Sequence, residues 1–322
     1  MKRFCHMLIL AVLCLCLLPQ TVLAAELLIP GGQVIGLALE DDTVTVAAFD
    51  DALGANAREA GLRIGDQILR IDGKPISSTE DVRTALNACG EAVTLTIARS
   101  GKEHNLTLQP CHTAQGPKLG VYLRCGITGI GTVTYFDPDT HAFGTLGHGV
   151  SDGKGALAAM TGGTAYAGQI QEVIRGQVGT PGQLKGSADP ADARGQLKKN
   201  TPQGVFGISK AGWLGEPLPV AAYSEIKEGP ALIRSTVAGS CVQEYSVEIL
   251  KIYPVDRADH RNFLIHVTDP ALLSATGGIV QGMSGSPIIQ DGKLVGAMTH
   301  VLVNDPTRGY GIFIENMLDA AS

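Results

Sequence analysis

A chain of 322 residues, 44% apolar and 17% charged, is long enough for two ordinary domains, each with its own buried core. Its formal net charge is −6 with both signs spread along the sequence, so there is no basic stripe to neutralise a phosphate backbone, and nucleic acid is not an expected partner. Forty-one glycines against 5% aromatic residues point to many tight turns and short strands, and the composition is that of a folded rather than a disordered chain.

Lys2 and Arg3 precede an apolar run from Met7 to Leu18, then Pro19, Gln20 and Val22-Leu23-Ala24. This is the pattern of a secretory signal over residues 1–25, with cleavage near Ala24 or Ala25. The alternative is an uncleaved anchor, for which the run is short against the roughly 20 residues of a span. The expected location is outside the cytoplasm, with the mature chain soluble or peripherally attached. Cys5, Cys14 and Cys16 fall in the signal, which leaves Cys89, Cys111, Cys125 and Cys241 with their pairing open. Neither C-x-x-C nor H-E-x-x-H spacing occurs, so no metal is assigned, and the chemistry below needs no cofactor.

Residues 27–110 read as short strands around one or two helices. Val44 to Phe49 alternates loosely, Ile68 to Ile71 ends at an Asp72-Gly73 turn, Thr79 to Ala88 has helical spacing, and Ala92 to Ala98 alternates through Val93, Leu95 and Ile97. The string Ala60-Gly61-Leu62-Arg63-Ile64-Gly65-Asp66-Gln67-Ile68-Leu69-Arg70-Ile71-Asp72-Gly73-Lys74-Pro75-Ile76 resembles a bacterial PDZ domain, a small α+β fold. The resemblance implies a groove in which a peptide adds as an extra strand and a terminal carboxylate meets backbone N–H groups. By analogy the carboxylate loop is expected in Pro30 to Leu37, with Gly32, Gln33, Val34, Ile35 and Gly36 as its candidates. The alternative is a glycine-rich turn entering a strand. Whether the ligand is a chain terminus or an internal segment is open. Residues 111–118, punctuated by Pro and Gly, read as a linker.

From 119 to 322 the pattern is that of many short strands with dense Gly and Pro punctuation, the signature of an all-β barrel or sandwich. Gly131 to Phe136 and the return strand to Leu146 form a hairpin that delivers Gly147-His148-Gly149. Gly282-Met283-Ser284-Gly285-Ser286-Pro287 precedes a second hairpin closed by Asp291-Gly292. A serine hydroxyl becomes a competent nucleophile when an imidazole takes its proton, and the oxyanion that forms needs backbone donors already aimed at it. His148 and Ser284 supply the pair, with the amides of Gly282 and Ser284 as the oxyanion donors. Either motif alone is common in turns. Ser286 is the competing serine, placed second because a glycine stands there in the trypsin-like G-D-S-G-G-P turn. Thr145, Thr299 and His300 are read as packing or supporting groups.

Four stretches carry a narrower resemblance: Gly144-Thr145-Leu146-Gly147-His148-Gly149, Thr268-Asp269-Pro270, Thr276 through Pro287, and Thr299 to Pro306. Together they resemble the SpoIVB-type sporulation peptidases, in which a signal or anchor, a PDZ domain and a trypsin-like double-barrel serine peptidase domain follow in this order. That resemblance implies a forespore-made enzyme acting between the membranes around the spore. Its substrate would be a membrane-bound regulator of an intramembrane protease, and it would also cleave itself. It further implies that Asp269 matches an aspartate the family needs, as a third catalytic residue. Asp-Pro is equally an ordinary turn signal, Asp256 and Asp259 are weaker candidates, and a His/Ser dyad remains an alternative. Two other functions stay open: a general envelope quality-control protease with a PDZ domain, and a non-catalytic PDZ adaptor with a peptidase-shaped domain.

Overall fold

The computed structural model describes residues 26–152 and 155–322, so the expected signal over 1–25 lies outside the described residues. In chain order, β1 (Leu27–Pro30) and β2 (Val34–Phe49) lead into α1 (Ala55–Glu59), β3 (Gln67–Ile71), β4 (Lys74–Pro75), α2 (Thr79–Asn87), β5 (Val93–Arg99) and β6 (Lys102–Leu108). There follow β7 (Cys111–Thr113), β8 (Gly116–Lys118), β9 (Val121–Phe136), β10 (Ala142–Thr145), β11 (Gly162–Ile174), β12 (Gln183–Thr201), β13 (Gly204–Ser209) and β14 (Leu218–Pro219). The last part holds β15 (Gly229–Ser235), β16 (Gln243–Ile252), β17 (Phe263–Val267), α3 (Pro270–Thr276), β18 (Pro287–Gln290), β19 (Lys293–Leu302), β20 (Asp305–Phe313) and α4 (Ile314–Ala321).

Two antiparallel barrels result. The second closes through β15, β16, β17, β20, β19 and β18 around Ile233, Val247, Ile265, Phe263, Met298 and their neighbours. The first runs β2, β9, β10, β13, β12 and β11, and closes because β11 and β9 both pair with β2. Ile35, Leu37, Val133, Phe143, Leu197 and Val205 fill it. Leu28, Tyr135 and Phe206 meet Leu294, Ala297 and Ile312 in a separate cluster, sealed by α4 through Met317. Closure leaves neither barrel with an open edge, which suits strands this glycine-rich.

The α+β domain expected ahead of the barrels has a different connection to them. Its sheet consists of the far half of β2 and the near half of β9, extended by β3, β5 and β6. Strand β2 therefore serves two cores: Ile35, Leu37 and Leu39 face the barrel interior, while Val44 and Val46 join Ile68, Val82, Leu95 and Ile97. The register shifts between Leu39 and Val44, opposite Gly126, whose φ is +76°. A Cβ there would lie 1.7 Å from the Leu39 carbonyl oxygen, so only glycine fits this crossing. The domain is thus inserted between two neighbouring strands of the first barrel, and the expected division at residues 110–119 is corrected accordingly. Along β2 the apolar phase moves from Ile35, Leu37 and Leu39 to Val44 and Val46 across Glu40-Asp41-Asp42, which marks the change of core.

Within the inserted domain the expected elements form. Helix α2 starts with a capping box between Ser78 and Asp81, and Asp72 and Gly73 both take positive φ in their turn. Asp66, 1% exposed, takes the guanidinium of Arg99 on both carboxylate oxygens and the Arg63 amide. Residues 111–118 form the hairpin β7–β8 beside α2 rather than an unstructured linker. Cys89, Cys111, Cys125 and Cys241 are free thiols.

Candidate active site

His148 and Ser284 line one cavity of about 840 Å³ in the cleft between the barrels. His148 leaves the end of β10 through two residues with left-handed backbone, Leu146 (φ +69°) and Gly147 (φ +67°). A Cβ on Gly147 would approach the Thr299 methyl within 2.8 Å, so the turn lies tight against β19 of the other barrel. Ser284 sits on the turn before β18, between Gly282 (φ +97°) and Gly285 (φ +98°). At Gly285 a Cβ would lie 2.1 Å from the Thr132 carbonyl oxygen and 2.5 Å from the Leu146 amide, which makes a side chain at this position untenable.

The turn aims two donors. Gln281 O accepts from the Leu184 amide (2.8 Å), and Met283 O accepts from both the amide (3.0 Å) and the hydroxyl (2.7 Å) of Ser286. A trans peptide directs its N–H opposite to its carbonyl, so these bonds turn the N–H groups of Gly282 and Ser284 the other way. Among the described residues neither amide donates to a protein acceptor. Two spare donors beside a serine at a cavity wall are what an oxyanion needs. Ser286 is fully buried and bonded to Met283 and Ser235, so the rival serine lies beneath the turn, out of reach of a substrate.

The imidazole of His148 is partly buried, and its Nδ1 bonds the Gly149 carbonyl oxygen at 2.9 Å. A carbonyl can only accept, so Nδ1 carries the proton and Nε2 keeps its lone pair. Burial lowers the His148 pKa below its ordinary 6.5, against a smaller rise from the Gly149 bond. The His300 ring packs on it with centroids 5.0 Å apart. The Ser284 hydroxyl donates to the Thr299 carbonyl (2.6 Å), so in this structure it is turned toward β19 rather than toward the imidazole.

Asp269 is not part of this group. It caps α3: one carboxylate oxygen accepts from the Ala271 (2.9 Å) and Leu272 (3.0 Å) amides, the other from the Ser246 amide (3.3 Å). It is absent from the cavity wall, where the carboxylate present is that of Asp259, held by Arg257. Asp256 is exposed and likewise off the wall. The turn signal in Asp-Pro, with proline at the first helical position, describes Asp269 better than a triad role does.

Residues Gly32 to Gly36 do not form a carboxylate loop. The Gly31 and Gly32 amides donate to Thr134 O and Val133 O, and Val34, Ile35 and Gly36 pair with Thr132, Gly131 and Ile130 inside the first barrel. The stretch is thus a barrel strand and the turn leading into it rather than an open loop beside a helix. The edge of the inserted domain that lies beside a helix is instead the stretch Val121 to Cys125 of β9, which bonds β2 on one side only and faces α2 on the other, while β6 forms the sheet's other edge. Lys118-Leu119-Gly120 leads into it, with the Leu119 and Gly120 amides unpartnered among the described residues. The missed signal is the Leu119-Gly120-Val121 tripeptide, which has the same apolar-Gly-apolar form as Ile35-Gly36-Leu37.

Comparison with known proteins agrees with this architecture. A PDZ domain profile matches residues 53–99, and that of the SpoIVB peptidase S55 family matches residues 115–318, more than half of the chain. Among curated proteins, one of Rhizobium meliloti named as a zinc metalloprotease is 30% identical over 229 residues, covering 70% of this chain and 56% of its own. A second of that name from Agrobacterium fabrum is 30% identical over 143 residues, covering 44% and 37%. The chain thus spans about half, or less, of the length of these relatives. Among solved structures, the Rv3671c protease of M. tuberculosis is 17% identical over 61% of this chain and 73% of its own, with a TM-score of 0.34. The HtrA-type protease AlgW is 11% identical over 66% and 59%, with a TM-score of 0.37. The PDZ domain of an SdrC-like protein from Listeria monocytogenes is 23% identical over 26% and 87%, with a TM-score of 0.22. With the family profile spanning both the histidine and the serine turn, the chain belongs to the SpoIVB peptidase S55 family and carries a PDZ domain.

Proposed function

We propose that this protein is a serine endopeptidase that works outside the cytoplasm, between forespore and mother cell, where it cleaves a membrane-bound protein regulator of an intramembrane protease and also cleaves itself. The observation that carries the catalytic part is the pair of unpartnered Gly282 and Ser284 amides at the cavity His148 lines. Family membership supports the signalling role.

The reaction begins when the Ser284 hydroxyl leaves the Thr299 carbonyl for Nε2 of His148. The oxygen attacks the scissile carbonyl, and the imidazole takes its proton while Nδ1 stays fixed on Gly149 O. The Gly282 and Ser284 amides hold the oxyanion. The tetrahedral intermediate collapses to an acyl-Ser284 ester as His148 returns the proton to the leaving amine. Water, activated by the same imidazole, then releases the acid. In this scheme a backbone carbonyl takes the orienting part often played by an aspartate, which makes the site a His/Ser dyad. Ile279, Val280, Val301 and Val303 line the cavity, so an aliphatic side chain next to the scissile bond suits it. A substrate or regulator peptide joins the open edge of β9 between Val121 and Cys125, opposite α2, with its end at the Leu119 and Gly120 amides.

The test uses the full chain and its Ser284→Ala and His148→Ala variants. Labelling by a fluorophosphonate and self-cleavage are expected in the parent alone, and a folded but inert parent would refute the scheme. For the signalling role, a strain lacking the protein should stall in sporulation and recover with the parent but not with Ser284→Ala. Normal sporulation with poor survival of envelope misfolding stress would favour quality control instead.

A further inference from the structure

Two glycines at positive φ flank Ser284, and glycine resists backbone rotation least, so the serine turn depends on what grips it from outside. Thr132 of β9 grips it at two points. Its Oγ1 donates to Gly282 O (2.9 Å) and its amide donates to Ser284 O (3.1 Å), one bond on each side of the Met283–Ser284 peptide whose N–H is an oxyanion donor. Its own carbonyl accepts from the Leu146 amide (3.2 Å), the residue that starts the turn carrying His148. One residue of the first barrel therefore bonds both catalytic turns. It is 1% exposed, in a strand where valine would satisfy the packing and a hydroxyl is costly to bury unless it is bonded.

We propose that Thr132 is a positioning residue for the reaction. Its hydroxyl fixes the plane of the Gly282–Met283 peptide, which lies between the two peptides carrying the Gly282 and Ser284 amides, so that both oxyanion donors are held in place before substrate arrives. The inference rests on Ser284 being the nucleophile. Loss of the hydroxyl leaves Ser284 and His148 in place and loosens only the donors, so the cost falls on bond making rather than on binding.

The test measures fluorophosphonate labelling of the full chain, resolved into the maximal rate kinact and the half-saturating concentration KI. Thr132→Val should lower kinact about ten- to hundredfold, less than the 10²–10³ that outright removal of an oxyanion donor costs, with KI changed no more than about twofold. Thr132→Ser should recover most of the rate. Thr134→Val is the control for stability alone: its Oγ1 donates to Gly285 O (2.8 Å), beyond the serine and equally buried, so it should melt as early as Thr132→Val while losing less kinact. Should Thr132→Val not fold, Thr132→Cys, a weaker donor of similar bulk, carries the same comparison. A folded Thr132→Val that labels at the parental rate, a loss confined to KI, or an equal loss in Thr134→Val overturns the proposal. An unlabelled parent would instead refute the assignment of Ser284.

Discussion

Replacing Asp269 separates a helix cap from a catalytic acid. In Asp269→Asn the side-chain carbonyl can still accept from the Ala271 and Leu272 amides, since asparagine caps helices as well as aspartate does. What is lost is the longer bond from the Ser246 amide, worth about 0.5–1 kcal/mol. In Asp269→Ala all three amides lose their acceptor, at a cost of about 1–2 kcal/mol. For a unit of this size each kcal/mol lowers the melting temperature by about 2–4 °C, so the two variants should separate in a thermal scan. The fluorophosphonate labelling rate should stay within about threefold of the parent in Asp269→Asn, because the carboxylate touches neither His148 nor the cavity. If Asp269 instead oriented the imidazole, the amide would favour the wrong tautomer and the rate would fall by about 10⁴. A folded Asp269→Asn with a thousandfold loss would refute the cap assignment and with it the backbone-oriented dyad.

Two further outcomes follow from the same geometry. Gly285→Ala should abolish labelling, because its Cβ has no room beside Thr132 O and the Leu146 amide and its φ of +98° is strained for any other residue; labelling at the parental rate would sink this. Burial lowers the His148 pKa below 6.5, so the imidazole stays neutral and able to accept a proton as the solution is acidified past that value. The acid limb of the labelling-rate profile should therefore have its midpoint below pH 6.5, and a midpoint above it would contradict the burial argument. The linkage has the matching sign: below pH 6.5 the unfolded chain binds the proton more readily than the native one, so stability from this group is lost as pH falls.

The backbone of the His148 and Ser284 turns was legible because its requirements are local. A serine between glycines before an Asp-Gly hairpin, and a histidine between glycines at a strand end, say on the page what backbone each needs, and the structure gives those backbones their positive φ values. Asp269 was ambiguous for the same reason: a capping aspartate before proline and a triad acid look alike until it is known which amides lie near. The sequence cannot say that Gly32 to Gly36 pair within the barrel, because Ile35-Gly36-Leu37 and Leu119-Gly120-Val121 have the same form. What separates them is the partner each strand finds across the chain. Non-local pairing also hid the insertion: the change of apolar phase across Glu40-Asp41-Asp42 marks a break in β2, but not that its first half packs on Val133 and its second on Ile68.

That shared strand decides how the PDZ domain can be removed. Deleting residues 27–110, the natural cut if the domain simply preceded the peptidase, takes β2 out of the first barrel and leaves β9 and β11 each with an unpaired edge. It also removes Ile35, Leu37 and Leu39 from the core, a loss of about 1.5–3 kcal/mol for each large side chain no longer buried. Such a chain should not fold. Because Leu39 stands opposite Ile127 in an antiparallel pair, replacing residues 41–125 with Asn-Gly joins the two strands by the shortest hairpin and leaves the barrel whole. This second variant should fold, label at Ser284 and have no peptide groove. Circular dichroism melting with fluorophosphonate labelling compares the two, and a cooperative melt with parental labelling after deletion of 27–110 would show that β2 is dispensable and the barrel closed by something else.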